Sequence, residues 1–287
     1  MGNYFIGCPV WAHAGWVGNF FPPGSASRDF LRLYSQRLTT VEGNTTFYAV
    51  PKDEIVQRWA AETPETFRFC LKLPRDISHE TPLRAQIDAT HAFVAQMQPL
   101  GPRLGPFFLQ LPPRFSPAHI NDLDAWLSAW PTEQRIAVEV RHDDWFAPAG
   151  ERALQDLLEQ YNAGRVLMDV RPLNFGPLPG AEEDLQRARD NKPDVPLHAL
   201  YSSNLALVRY IGHPNLSLNE PLLDEWAARV ARWLSDGVDV YMFMHCPDND
   251  FAPALCHMFH ARLAQRIEVP PLPWDAGESW VQQQRMF

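Results

Sequence analysis

Eight short runs of apolar and β-branched residues recur along this chain of 287. Most carry a polar residue at or near the carboxyl end, and the runs alternate with seven or eight segments of helical periodicity. The runs are Tyr4-Phe5-Ile6-Gly7, Thr40-Val41-Glu42, Phe67 to Lys72, Phe107 to Leu111, Ile136 to Val140, Arg165 to Val170, Ala206 to Gly212 and Val238 to His245. Strands joined by helical crossovers pair in parallel, and eight such units close into a barrel that leaves no edge exposed. The expected fold is α/β, a TIM-type (β/α)8 barrel of parallel strands with outer helices. A doubly wound open sheet would satisfy the same alternation. The chain has no Gly-x-Gly-x-x-Gly after an early strand and no Gly-rich loop ending in Gly-Lys-Ser/Thr, so neither nucleotide fingerprint is present.

The intervening segments carry the 3.6-residue period. Phe30, Leu31, Tyr34 and Leu38 share one helical face, and a helix opening at Pro51 runs through Ile55 and Trp59. Helices are expected at 82–98, at 120–130 with Leu123, Leu127 and Trp130 inward, and around 153–161. Two more are expected, one carrying Leu222, Trp226, Val230 and Leu234 and one at 252–265. Composition does not shift anywhere, so residues 1–287 are expected to form one barrel domain. The pattern breaks over 171–199, too long for an ordinary barrel connection and expected to be a lid or an excursion after strand six. Residues 267–287 form a C-terminal tail with little periodicity.

Apolar residues make up 46% of the chain, which excludes global disorder. The balance of 25 basic and 34 acidic residues, net −9, disfavours a general nucleic-acid or anionic-membrane surface, although a local basic pocket remains compatible with it. Cys8, Cys70, Cys246 and Cys256 lie far apart and read as reduced core thiols. The N-terminus lacks a basic region followed by an apolar segment, and no membrane span is expected. Cytoplasm is the expected location. Cofactor and oligomeric state are left open by the sequence.

The strand ends carry the chemistry. They read Glu42, Lys72, Gln110, Glu139 with Arg141, Asp169, Arg209 and His245. In a barrel these ends converge on one mouth, so residues far apart in sequence become neighbours and shift one another's proton affinities. Glu139 and Arg141 lie two apart and share a face. Lys72 has three chemical readings: anion clamp, general acid or base, or Schiff-base amine. Nearby carboxylates raise a lysine's proton affinity, which favours the clamp. Glu42, Glu139, Asp169 and His245 could together hold a divalent cation, but no His-x-His or His-Glu-x-x-His pattern accompanies them, and no metal is assigned. Cys256 and His260, four apart, read as packing. His79 could shuttle protons near neutral pH or cap the following helix. Trp11, Trp16, Phe47, Tyr48 and Trp145 follow strand ends and could wall a pocket, while Asn44 and Asn249 could orient ligand oxygens.

These residues resemble the DUF72 family, the YecE-like TIM-barrel proteins without an established activity. The resemblance covers nearly the whole chain. It rests on Thr40-Val41-Glu42-Gly43-Asn44-Thr45-Thr46-Phe47-Tyr48, on Trp59 with Thr63-Pro64, and on Phe67-x-Phe69-x-x-Lys72-x-Pro74 followed by Ile77-Ser78-His79. Val138-Glu139-Val140-Arg141-His142-x-x-Trp145 and Arg209-x-x-Gly212 complete it. Two positions depart from the family's pattern. Cys246-Pro247 replace polar residues after strand eight, and Ile211 stands where a histidine is usual, with His213 shortly after. The resemblance implies a barrel and no substrate.

The residues together favour an enzyme acting on a small anionic or polyhydroxylated molecule. Glu42, Lys72, Glu139, Asp169 and His79 are its candidate catalytic groups. Asn44, Tyr48, Arg141, Trp145, Arg209, His245, Asn249 and Trp11 are its candidate substrate contacts. The alternatives are a metal-dependent phosphoester hydrolase or nuclease-like barrel, and a ligand-binding protein that keeps the pocket without chemistry. The last predicts charged rim residues paired fully with one another.

Overall fold

The computed structural model describes residues 1–80, 82–176, 183, 185–186, 196–197, 199–247 and 249–275. The eight expected runs all form strands: β1 (Tyr4–Cys8), β2 (Thr40–Gly43), β3 (Arg68–Leu71), β4 (Phe107–Gln110), β5 (Ile136–Glu139), β6 (Gly164–Asp169), β7 (Leu205–Ile211) and β8 (Asp239–His245). They make one parallel sheet in the order β3-β2-β1-β8-β7-β6-β5-β4. The ends of that sheet meet at a seam. There β3 and β4 touch through two isolated bridges, Phe69 to Leu104 and Lys72 to Phe108. Gly105 N and Leu73 N donate across it to the Phe69 and Phe108 carbonyls, each at 3.0 Å. The result is a nearly closed barrel with surrounding helices.

Alternation along the strands divides the apolar residues between two cores. Cys70, Phe108, Ala137, Val166, Leu205, Leu207, Tyr241 and Phe243 fill the barrel interior, with Phe5 packed beneath them. Their neighbours Val41, Phe69, Val138, Leu167, Val208 and Met242 face outward to helical residues such as Trp59, Phe93, Trp126, Trp226 and Phe259. Each such side chain, fully removed from water, contributes about 1.5–3 kcal/mol relative to exposure. The strands are therefore covered on both faces, which explains their nearly continuous apolar runs.

Most helices fall where the periodicity places them, including Asp53–Glu62, Ile87–Met97, Ile120–Ser128, Glu220–Ser235 and Ala252–Ala264. One starts earlier than expected, at Pro148, and runs to Gln160. Proline suits a first helical turn, where its missing N–H is not needed. Gly150 then lets the helix lie against the Asp144 carbonyl, where a Cβ would collide with backbone. The expected lid at 171–199 falls mostly outside the described residues. Its start, Arg171–Asn174, is a short 3-10 turn. Of the tail, residues 267–275 are described: Leu272 is buried and Trp274 packs edge-on against Phe20. All four cysteines are buried, and the Cys8 and Cys256 sulfurs lie 3.7 Å apart.

Candidate functional site

The inward face of the barrel changes character at its carboxyl end. Below, the interior is apolar. Above it, Glu42, Lys72, Gln110, Glu139, Arg209 and His245 all point inward, and none is more than 7% exposed. They join in one unbroken chain of contacts across the mouth. His245 Nε2 lies 3.1 Å from Glu42 Oε2. Arg209 grips Glu42 with two parallel bonds, Nε to Oε2 and Nη2 to Oε1, both 2.9 Å, and donates Nη1 to Glu139 Oε2 at 2.7 Å. Arg141 Nε donates to Glu139 Oε1 at 2.6 Å, and its Nη2 donates to Gln110 Oε1 at 2.8 Å. Lys72 Nζ donates to the same amide oxygen at 2.7 Å.

Local structure holds the two ends of this chain. Asn44 Nδ2 donates to Glu42 Oε1 at 2.6 Å and to the Pro9 carbonyl at 3.1 Å, completing the carboxylate's set of donors. After β2 the chain turns into a single helical turn, Thr45–Tyr48. The Thr46 hydroxyl lies 2.8 Å from the Gly43 carbonyl and 2.6 Å from that of Lys72, tying this turn to the end of β3. The tie sets Phe47 beneath the lysine. Lys72 Nζ sits 3.9 Å from the Phe47 ring centroid and 5.9 Å from that of Phe108. Aromatic faces attract a cation, but they replace only part of its hydration.

The buried charges therefore settle differently. Burial alone would raise the proton affinity of Glu42, yet Arg209 and then His245 outweigh it and hold the carboxyl well below its usual range. Burial works the same way on Glu139, and Arg209, Arg141 and Lys72 bring it down to about 2. Neither carboxylate is poised to exchange a proton near neutral pH. Arg209 is held charged by the same two carboxylates. Lys72 goes the other way. Burial depresses it to about 8 despite the pull of Glu139 and Glu42, with Arg209 and Arg141 opposing that pull. The expectation that neighbouring carboxylates would raise this lysine is thus corrected: desolvation and two guanidinium groups win, because among the described residues no carboxylate touches Nζ.

His79 follows the turn Arg75–Ser78, its ring edge-on to Phe47 at 5.1 Å and its Nδ1 2.9 Å from the Ser78 hydroxyl. Its backbone carbonyl accepts from Arg114. Burial and then Lys72, Arg114, Arg75 and Arg141 push its proton affinity down to about 4. It stays neutral at physiological pH, too weak a base for the shuttle expected from sequence.

Other expected members lie elsewhere. Asp169 points outward, because Val166 and Met168 are the inward residues of β6 and Met168 is level with Arg209. Its carboxylate accepts from the Trp226 indole at 2.7 Å and from Arg171 at 2.8–3.0 Å. The carboxylate and imidazole set suggested for a metal is thereby divided, and Glu42 and Glu139 are occupied by arginine. Among the described residues, no three His, Cys, Asp or Glu side chains group as metal ligands. Trp145 is fully buried and donates to the Phe115 carbonyl at 2.7 Å. Trp11 packs edge-on against Trp59 and Phe69 on the helix side of β3. Tyr48 is 83% exposed and touches Phe47 edge-on. Asn249, with a left-handed backbone, accepts from Trp16 Nε1 through its carbonyl.

Of two further residues at the centre, the sequence set Gln110 at the mouth without assigning it a role, and Phe108 was absent from the sequence-derived site. Gln110 bridges Lys72 and Arg141, and Phe108 lies two residues before it on the same face. Period-two alternation along β4 is the signal that joins them.

A (β/α)8 barrel with a buried ionic chain across its carboxyl mouth is the class these observations define. The model of the family described as "Protein of unknown function DUF72" matches residues 5–277, and the chain belongs to that family. It is 38% identical over 279 residues to the UPF0759 protein YecE of Escherichia coli K12, covering 95% of this chain and 98% of that protein. UPF0759 protein YunF of Bacillus subtilis is 28% identical over 151 residues, about half of each chain. Crystal structures of DUF72 family proteins superpose over most of the barrel. That from Enterococcus faecalis has a TM-score of 0.68 at 19% identity, covering 94% of this chain and 98% of its own. That from Thermotoga maritima has 0.64 at 20% identity, covering 92% and 98%. These likenesses establish the fold.

Proposed function

We propose that this protein is an enzyme whose carboxyl mouth takes a small anionic or polyhydroxylated substrate, with Lys72 as the group that exchanges protons or bonds with it. One observation carries this reading: Lys72 is a buried amine that meets an amide oxygen and two aromatic faces and, among the described residues, no carboxylate at ion-pair distance. At the mouth three cations, Lys72, Arg141 and Arg209, face two carboxylates, Glu42 and Glu139, so the local field favours an anion. Arg141, whose side chain is 18% exposed, is the cation best placed to meet it. Glu42, Arg209 and Glu139 act as a fixed platform that positions these groups. A reducing compartment such as the cytoplasm suits the four buried thiols.

The chain has three lysines, Lys52, Lys72 and Lys192, so the amines are separable by NMR after lysine labelling. Lys72 is expected to titrate near 8. Its resonance should also move when phosphate or a small carboxylate is added. Titration at the ordinary lysine value, with no response to either anion, would refute the reading. A second reading, ligand binding without chemistry, is favoured by the complete pairing of Glu42 and Glu139 with their donors. It predicts the anion response with an ordinary lysine titration.

A further inference from the structure

Proton exchange does not require the aromatic walls around Lys72, whereas a covalent role does make use of them. A charged, hydrated ammonium is unreactive. A nucleophilic amine needs a site that disfavours its charge, and a hydrophobic wall or a second cation supplies one. Lys72 has both. Phe47 and Phe108 lie on its flanks, and the guanidinium groups of Arg141 and Arg209 lie beyond Gln110 and Glu139. Its Nζ donates to Gln110, a neutral acceptor that leaves the nitrogen free to lose its proton. Arg141 shares that amide oxygen, so a positive group stands one hydrogen-bonded link from the amine.

We propose that Lys72 forms an imine with a small aldehyde or ketone that carries a carboxylate or phosphate, the anionic group being received by Arg141. In the step, the Nζ lone pair attacks the carbonyl carbon and a C–N bond forms. The C–O bond then breaks, and the oxygen leaves as water with the two hydrogens that were on nitrogen. A proton from solvent completes the iminium. No oxidant or reductant takes part. The proposal rests on the enzymatic reading above but can fail without it, since an amine may titrate near 8 and bind anions without condensing.

The expected selectivity follows from free amine. At pH 7 a lysine with a proton affinity near 8 holds roughly 100-fold or more unprotonated amine than an ordinary one, partly offset by lower intrinsic nucleophilicity. The test incubates the intact protein with pyruvate and borohydride, which reduces an imine to a stable secondary amine, and maps adducts by peptide mass spectrometry. The result expected is borohydride-dependent labelling at Lys72 about tenfold above that of exposed Lys52. Propanal, which lacks the anion, should label Lys72 several-fold less than pyruvate relative to Lys52. Lys72→Arg, which keeps the charge, should lose the adduct. Equal labelling of Lys72 and Lys52, or none at Lys72, would overturn the proposal while the anion-dependent NMR shift could still stand. Propanal labelling as strong as pyruvate labelling would overturn the role given to the anion.

Discussion

The two sides of the barrel mouth treat a buried cation in opposite ways. On the β7–β8 side, continuous ladders run from Leu205 to Ile211 and the wall is fully paired. There Arg209 meets two carboxylates through three short bonds and stays charged. At the β3–β4 seam the ladder shrinks to isolated bridges, and Lys72 sits at one of them with an amide and two rings for company. Burial is similar, at 4% and 7% exposure, so partner chemistry decides the outcome. A closed ion-pair network makes a scaffold. An amine whose nearest partners are an amide and two rings gives up its proton more readily.

The contrast is broken most strongly by removing Arg209. Arg209→Met leaves Glu42 and Glu139 buried without their shared partner, and denaturant unfolding at pH 7 should show a loss of about 3–5 kcal/mol. A loss below 1 kcal/mol would mean that the network is not the scaffold described. Glu139→Gln should cost about 2–3 kcal/mol, and the pH dependence gives a sharper check. The Glu139 carboxyl falls from about 4.5 to about 2 on folding, so its contribution is complete above 4.5 and disappears as pH drops through 2. The variant should flatten the acid limb of the stability curve over that window. It should also lower the Lys72 titration further, since Glu139 is the strongest of the groups raising it.

Lys72→Met tests the other side, with the opposite sign. Below pH 8 the ammonium is charged in both folded and unfolded chains, and its desolvation penalty is present in full. Between 8 and about 10.5 the folded protein gives up the proton first and recovers stability. The variant should therefore be more stable by about 1–3 kcal/mol at pH 7, with the gain shrinking as pH approaches 10.5. Destabilisation at pH 7 would mean that the Gln110 bond and aromatic contacts outweigh the penalty. Tyr48→Ala, at an exposed neighbour of Phe47, should change stability by less than about 0.5 kcal/mol and leave the Lys72 titration unmoved.

Strand identity and most of the mouth were legible in the residues because both follow from short-range pattern. Glu42, Gln110, Glu139, Arg209 and His245 stand at inward positions at the ends of runs that could only be strands. Asp169 misled for a physical reason. Residues 165–170 are apolar on both faces, so parity within β6 is not written in the sequence, and a one-residue difference reverses every side chain. Trp11 and Trp145 misled because an aromatic after a strand can turn toward helices as readily as toward a pocket. The direction of the Lys72 shift was illegible too. It depends on which neighbour touches Nζ, and that neighbour, Gln110, comes from another strand.

Gln110 gives the mouth an unusual mechanical property. Its side-chain amide is an acceptor at one end and a donor at the other, and the acceptor end holds both Lys72 and Arg141. A half-turn about one terminal dihedral would bring the NH2 against both cations and turn attraction into repulsion, leaving Arg141 to Glu139 and Lys72 to its aromatic contacts. Among the described residues, the one link that joins Lys72 to the ionic chain thus hangs on a single rotor.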